Sequence, residues 1–229
     1  MDSAEFDKYA EAYERQLAEN IAITGESPSY FAEYKVAATR TLADSAGLDP
    51  AVILDFGAGI GNSTGYFKHY FPDASLLSAD VSRKSLDLLE RRHPGQSRRV
   101  EMDHTIPLDD KSIDLAFTAC VFHHVREAEH AHWLAELARV VRPGGLFVLF
   151  EHNPLNPFTQ RAVSTCPFDE NATLIRAGVM ARRLSEAGWP APRIHHRVFF
   201  PRALAALRPL ETWLTWLPFG GQYSLCARR

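Results

Sequence analysis

The chain has 229 residues, 46% of them hydrophobic, so it is long enough for one α/β domain and apolar enough to bury a sizeable core. Its formal net charge of −3 gives no general attraction to nucleic acid or to anionic lipid. The cysteines, Cys120, Cys166 and Cys226, are too widely spaced for a disulfide framework or a zinc motif. The composition therefore favours a cytoplasmic location, with no signal peptide and no transmembrane segment expected.

Apolar periodicity predicts helices and strands that alternate along the chain. Residues 3–23 have the pattern of an amphipathic helix, and a second helix is expected from Ser27 and Pro28 to about Gly47. Strands are predicted at residues 52–55, 75–80, 99–102, 113–120, 146–150, 194–200 and 222–227. Strands that alternate with helices in this way predict an α/β fold with a doubly wound, mostly parallel seven-stranded sheet and helices on both faces.

We expect one domain with three parts: an N-terminal helical cap (1–47), an α/β core (48–151) and a C-terminal part (152–229). Residues 152–173 contain three prolines and no clear period, which predicts a long, lid-like loop. Residues 202–217 are predicted to be helical. The aromatic residues in that region, Trp213 and Trp216 among them, are predicted to pack in the core, with a lipid-like substrate pocket or a dimer interface as alternatives.

The most informative stretch follows the first predicted strand. Asp55 precedes glycines at 57, 59 and 61, and a helical pattern resumes at Phe67. Glycines let a ligand approach the backbone closely, and the following helix end offers unpaired N–H groups. The carboxylate of Asp55 disfavours a pyrophosphate at this loop. The pattern therefore predicts a nucleotide-like ligand that carries positive charge.

This loop resembles the first motif of the class I S-adenosylmethionine-dependent methyltransferases, Asp/Glu-x-Gly-x-Gly-x-Gly. The rival dinucleotide fingerprint, G-x-G-x-x-G, fails because Asn62 stands after Gly61 where a glycine is required. Further segments similar to the family, and specifically to its members that act on small molecules and quinone precursors, are Pro107–Phe117, Val121–Val125 and Leu137–Leu146. The likeness covers about residues 50–151, and the opening Phe6-Asp7-x-x-Ala10-x-x-Tyr13 is also similar to the family's opening.

The resemblance implies S-adenosylmethionine as the cofactor. Asp80 ends the second predicted strand, where a carboxylate can accept both ribose hydroxyls, as it would equally for NAD. Asp103 would bond the adenine amino group with Met102 against the ring, although a turn acid is the alternative for Asp103. The candidate cofactor-binding residues are Tyr13, Asp55, Gly57, Ala58, Gly59, Asp80, Val81, Met102, Asp103, His104 and Ala119.

Three histidines are the candidate catalytic residues. His123 and His124 follow the fourth predicted strand and His152 follows the fifth, so all lie at the edge where ligands bind. Histidine has a pKa suited to a general base, while packing or capping is the alternative role for each. Metal-assisted members of the family place acids where this chain has Ala119 and Cys120, so no metal is expected.

The resemblance implies direct in-line transfer of a methyl group to a small-molecule acceptor, for which an apolar compound is one option. We expect the acceptor between the N-terminal helices, the loop after the fourth strand and residues 152–173. The tyrosines expected there are Tyr9, Tyr13, Tyr30 and Tyr34. No nucleic-acid partner is expected, and both a monomer and a homodimer are compatible with the sequence. An NAD(P)-linked oxidoreductase and a non-catalytic S-adenosylmethionine-binding protein are the alternatives.

Overall fold

The computed structural model describes residue 21 and residues 24–166 and 169–229. The predicted first helix and Tyr13 lie outside these residues, as does Tyr9. The second predicted helix is confirmed as α1, Pro28–Ser45. Its first turn is stabilised by Ser27, whose hydroxyl accepts a hydrogen bond of 3.2 Å from the backbone N–H of Tyr30, and by Pro28 at the start of the helix.

The predicted fold class is confirmed. The strands are β1 (Val52–Phe56), β2 (Ser75–Asp80), β3 (Arg98–Glu101), β4 (Ile113–Ala119), β5 (Val141–His152), β6 (Arg193–Arg197) and β7 (Gln222–Arg228). They form one seven-stranded sheet in the order β3-β2-β1-β4-β5-β7-β6. β1 to β5 pair in parallel, whereas β7 runs antiparallel to both β5 and β6.

Helices lie on both faces of this sheet. After α1, the helices are α2 (Thr64–Tyr70), α3 (Arg83–Arg92), α4 (His130–Val140), α5 (Pro157–Ser164), α6 (Ala177–Glu186) and α7 (Glu211–Leu214). The chain runs outward from β1 to β2 and β3, and then returns to β4 on the other side of β1. The connections that follow β1 and β4 therefore diverge and open a crevice at the carboxyl ends of these strands, which is where ligands bind in such sheets.

Alternate residues of the central strands supply two hydrophobic cores. Ile53 and Phe117 face the core that contains Phe67 of α2, and their strand neighbours Leu54 and Ala116 face the opposite core. Because successive side chains in a strand point to opposite faces, strands buried on both faces are apolar throughout. This burial explains why β1, β4 and β5 were recognisable from the sequence.

The C-terminal region differs from its prediction in three places. Residues 152–173 are not loop throughout, because Asn156 caps the helix α5 by accepting hydrogen bonds from two backbone N–H groups. The segment Arg202–Leu210 is a 3-10 helix with a break at Leu204, and Pro209 within it cannot donate a backbone hydrogen bond. The expected core packing of Trp213 and Trp216 is wrong, because these side chains are 77% and 73% exposed.

Across residues 24–166 and 169–229, we find no helix that has both the length and the apolar character required to cross a membrane.

Trp189 provides a test of the packing on one face of the sheet. It is fully buried, donates a hydrogen bond of 3.1 Å from its indole to the Leu134 carbonyl, and packs on Phe147. We expect Trp189→Ala to lower the free energy of unfolding by about 3–5 kcal/mol in urea denaturation. The matched control is Trp213→Ala, which should change it by about 0.5 kcal/mol or less since that side chain is exposed. Equal effects of the two substitutions would contradict the packing described here.

Candidate active site

A cavity of about 420 Å³ lies at the carboxyl ends of the central strands. The loops that follow β1, β2, β4 and β5 form its base, and α1, α5 and the segment after β6 form its walls. The predicted site residues that line it are Asp55, Gly57, Ala58, Gly59, Asp80, Val81, Met102, Ala119, His123, His124 and His152. One cavity therefore contains both the predicted cofactor loop and the predicted catalytic histidines.

The loop after β1 is shaped by two glycines with different constraints. Gly57 has φ of +77°, and a Cβ there would lie 2.4 Å from Cγ2 of Val121, so no larger residue fits without a shift. Gly59 has φ of +54°, and no described atom lies within 4 Å of the place where its Cβ would be. The first glycine is required by close packing against the loop after β4, and the second leaves open space at the cavity.

Asp80 fixes the conformation of the same loop. Its carboxylate accepts hydrogen bonds of 2.8 Å from the backbone N–H groups of Gly59 and Ser82, one on each oxygen. The residue is 8% exposed and borders the cavity. Because each carboxylate oxygen can accept more than one hydrogen bond, Asp80 can still accept bonds from ligand hydroxyls.

Asp55 is a buried acid at the base of the loop. It is 3% exposed, and its Oδ2 has no hydrogen-bond partner among the residues that the structure describes. Burial, together with the nearby negative charge of Asp80, raises the pKa of Asp55 to about 7. A buried carboxyl group with an unmatched oxygen suits a ligand that brings positive charge, and this is the property expected of S-adenosylmethionine.

The predicted adenine contacts are only partly brought to the cavity. Met102 is buried beyond β3 and lines the cavity with Val81. The side chains of Asp103 and His104 are 91% and 94% exposed and do not line it. The chain turns outward after β3, so the structure gives no support to a cofactor contact by these two residues.

A buried cluster of histidines and acids borders the cavity beside the loop after β4, and we call this part of the cavity the histidine end. Glu151, near the end of β5, accepts backbone hydrogen bonds from Val121 (3.0 Å) and Phe122 (2.7 Å) on one oxygen. Its other oxygen lies 2.6 Å from Nδ1 of His123. Asp169 lies on the other side of the histidines, with Oδ1 3.6 Å from Nε2 of His123 and 3.2 Å from Nε2 of His124.

The charges of this cluster are strongly coupled. Burial disfavours an imidazolium at His123, but the carboxylates of Glu151 and Asp169 outweigh it and raise the pKa of His123 to about 10. Burial opposes ionisation of Glu151 as well, yet His123 lowers the pKa of Glu151 to about 2. Burial and the positive charge of His123 lower the pKa of His124. At neutral pH His123 is therefore protonated and His124 is neutral, a difference that the sequence alone does not predict.

Lys35 and Cys120 form a second charged pair at the cavity. The ammonium group of Lys35, on α1, lies 3.2 Å from Sγ of Cys120 at the end of β4. Burial would raise the pKa of the Cys120 thiol, but the charges of Lys35 and His152 lower it to about 6. Sequence analysis predicted no role for Lys35, because a single lysine within an amphipathic helix gives no signal of burial.

The remaining wall is aromatic. Phe31 of α1, Phe158 of α5, and Phe199 and Phe200 after β6 line the cavity. Tyr30, one of the four predicted tyrosines, also lines it, and Tyr34 stacks on Tyr30 with 6.3 Å between ring centroids. The histidine end of the cavity is thus polar and charged, while its outer wall is apolar.

Comparison with known proteins agrees with this architecture. Residues 54–149 match the model of the methyltransferase domain family. The chain is 33% identical over 164 residues to a demethylmenaquinone methyltransferase of Clavibacter sepedonicus, covering 69% of this chain and 61% of that one. It is 35% identical over 102 residues to a malonyl-[acyl-carrier protein] O-methyltransferase of Methylococcus capsulatus, covering 43% and 36%. The matches span between 36% and 44% of the length of the first three curated relatives.

Solved structures share the fold. A methyltransferase of Thermotoga maritima, described as a possible histamine N-methyltransferase, superposes with a TM-score of 0.67 at 13% identity, covering 99% of this chain and 98% of that one. Together with the family match over residues 54–149, this likeness of fold agrees with the resemblance to the class I S-adenosylmethionine-dependent methyltransferases that the motifs predict. The family match is consistent with S-adenosylmethionine as the cofactor.

The raised pKa of Asp55 predicts how stability changes with pH. The folded state holds a proton on this carboxyl up to about pH 7, whereas the unfolded chain releases it near 3.8, so stability from this group is lost as pH rises between the two values. Between these two pH values we expect the free energy of unfolding to fall less in Asp55→Asn than in the wild type. The difference between the two decreases should be roughly 2–4 kcal/mol. The exposed Asp73→Asn should follow the wild type. Parallel curves for wild type and Asp55→Asn would show that Asp55 is ionised throughout.

Proposed function

We propose that this methyltransferase-family chain is an enzyme that moves a methyl group from S-adenosylmethionine directly to a small-molecule acceptor. The observation that carries the proposal is the single cavity that joins the glycine loop after β1 to the histidine cluster after β4 and β5. Direct transfer requires that the two reactants meet in one water-poor space, and this cavity provides it. Cys120, Cys166 and Cys226 are not joined in disulfides, which supports a cytoplasmic location.

We assign the cofactor to the half of the cavity formed by β1 and β2. When bound, it supplies an electrophilic methyl group on a positively charged sulfur. Asp80 would accept the ribose hydroxyls while holding the loop through Gly59, and Met102 would flank the base. Asp55 lies beneath the loop with a pKa raised to about 7, and a cationic ligand there would favour its ionised form. The role of Tyr13 stays a prediction.

We assign the acceptor to the histidine end. His124 and His152 border the cavity there and can hydrogen-bond the reacting atom of the acceptor. His123 is held by Glu151 and is only 2% exposed. We therefore assign it the role of positioning the neighbouring side chains, and not of contacting the acceptor. The aromatic wall formed by Phe31, Phe199 and Phe200 supports an acceptor with an apolar body.

Two observations argue against the alternatives. An NAD-linked enzyme would bring a pyrophosphate to the loop after β1, where the buried acid Asp55 disfavours a second negative group. A non-catalytic binding protein has no need of a second polar cluster, yet Glu151, His123 and Asp169 hold one in place beside the cofactor half.

Calorimetric titration tests the cofactor assignment. S-adenosylmethionine and S-adenosylhomocysteine should each bind the purified chain at one site, and NADH should not bind. Compounds would then be screened as acceptors with S-adenosylmethionine that carries an isotope-labelled methyl group, with mass spectrometry to detect the label. Binding of NADH alone would refute the assignment, and cofactor binding without transfer to any acceptor would favour the non-catalytic alternative.

Asp80→Ala tests the ribose position. We expect the substitution to weaken S-adenosylhomocysteine binding by one to two orders of magnitude, about 1.5–3 kcal/mol. The reason is that it removes the charged carboxylate that would accept hydrogen bonds from the ribose hydroxyls. The matched control is Asp49→Ala, whose side chain is 92% exposed and does not line the cavity. Wild-type affinity in Asp80→Ala, measured by the same calorimetry, would refute the assignment of Asp80.

A further inference from the structure

We propose that His123, His124 and Asp169 form a binding site for a divalent transition-metal ion at the acceptor end of the cavity. The site goes beyond methyl transfer and does not depend on it. All three residues line the cavity, and one candidate ligand atom from each lies within 4.8 Å of the other two.

The distances from Asp169 to the two histidine nitrogens are those of ligands that share one ion. Oδ1 of Asp169 lies 3.2 Å from Nε2 of His124 and 3.6 Å from Nε2 of His123. Nitrogen and oxygen ligands bound tetrahedrally at about 2.1 Å stand roughly 3.4 Å apart. The observed separations fall on either side of this value, so an ion can be accommodated with small side-chain adjustments.

Glu151 supplies the support that metal-binding histidines usually have. It lies 2.6 Å from Nδ1 of His123, which leaves Nε2 directed toward Asp169. A carboxylate on the second ring nitrogen fixes both the orientation and the tautomer of a metal-binding histidine. The other oxygen of Glu151 is bonded to the backbone of Val121 and Phe122, so the support is itself rigid.

The loop that carries Asp169 is anchored to the loop that carries the histidines. The backbone N–H of Thr173 donates a hydrogen bond of 2.8 Å to the carbonyl of His123, and the N–H of Asp169 donates one of 3.1 Å to Cys166. Asp169 is 8% exposed and lies in a short 3-10 segment of the connection between α5 and α6. The three ligands are thus brought together by fixed backbone contacts.

The charge and the donor set indicate the class of ion. A bound ion would displace the proton from Nε2 of His123, because only a deprotonated imidazole nitrogen binds a metal. The buried carboxylates of Glu151 and Asp169 then leave a charge of about −2, which a divalent ion would neutralise. Two imidazoles and one carboxylate suit zinc, cobalt or ferrous iron, whereas magnesium and calcium prefer oxygen ligands alone. Three protein ligands leave coordination positions open toward the cavity, as in catalytic rather than structural sites.

The positions at which the sequence predicts no metal ligand differ from those of the proposed site. That prediction concerned acids directly after β4, where Ala119 and Cys120 stand. The proposed carboxylate ligand instead comes from Asp169, 49 residues after Cys120. The two histidines follow the end of β4 by four and five positions. The sequence reasoning therefore did not address this set of ligands.

Titration with Co²⁺ tests the site, because its visible absorption reports nitrogen and oxygen coordination directly. The metal-free, tag-free chain should bind one equivalent of Co²⁺, and Zn²⁺ should displace it. Asp169→Asn and His124→Gln should each weaken Co²⁺ binding by about 100-fold, and Glu151→Gln by roughly 10- to 100-fold. The control is His69→Gln, at an exposed histidine on α2, which should bind Co²⁺ as the wild type does.

Two results would overturn the proposal: no Co²⁺ binding by the wild type, or unchanged affinity in both Asp169→Asn and His124→Gln. Circular dichroism and S-adenosylhomocysteine titration of each variant separate loss of a ligand from loss of the fold. The same titration separates the two proposals. Co²⁺ binding without S-adenosylhomocysteine binding counts against the proposed methyl transfer alone, and the reverse counts against the metal site alone.

Discussion

The buried contact between Glu151 and His123 sets the geometry of the whole site. One carboxylate joins β5 to the loop after β4, with one oxygen on His123 and the other on the backbone of Val121 and Phe122. The position of Val121 in turn leaves room only for glycine at position 57. Both parts of the cavity therefore depend on this contact. Removing one partner of such a buried pair typically costs about 3–5 kcal/mol of folding free energy.

The pKa values of two buried acids near the cavity, Asp55 and Glu151, are shifted in opposite directions. Asp55 faces another acid and has an unmatched oxygen, so its pKa rises to about 7. Glu151 faces an imidazole and backbone N–H groups, so its pKa falls to about 2. Burial is similar in the two cases, and the partners decide the direction. The part of the cavity at the glycine loop therefore suits a cationic ligand. At the histidine end, opposite charges and hydrogen bonds stabilise the ionised form of Glu151.

The sequence predicts the fold well because the signals are local. The apolar runs of β1, β4 and β5 and the glycines after β1 are each contained within a few consecutive residues. The residues that line the cavity at the ends of those strands were predicted for the same reason, since parallel strands bring their carboxyl ends to one edge.

The sequence does not predict the position of a residue that is fixed by contacts with residues far away along the chain. Asp169 lies in a connection without periodicity and reaches the histidines only because backbone hydrogen bonds anchor it. Lys35 is buried by its approach to Cys120, and nothing in the sequence of its helix indicates this pairing. Trp213 and Trp216 are exposed, although composition alone predicts burial. Trp213 lies on the short helix α7 and Trp216 in the turn that follows it, and both lie outside the two cores.

A crystal structure of the chain with S-adenosylhomocysteine is the most direct test of the central claim, that one cavity holds the cofactor on the glycine loop and directs its sulfur toward the histidines. The account predicts the ribose at Asp80, the base beside Met102 and the sulfur facing His124 and His152. A ligand bound outside the glycine loop, or one whose sulfur faces away from the histidine cluster, would contradict the account.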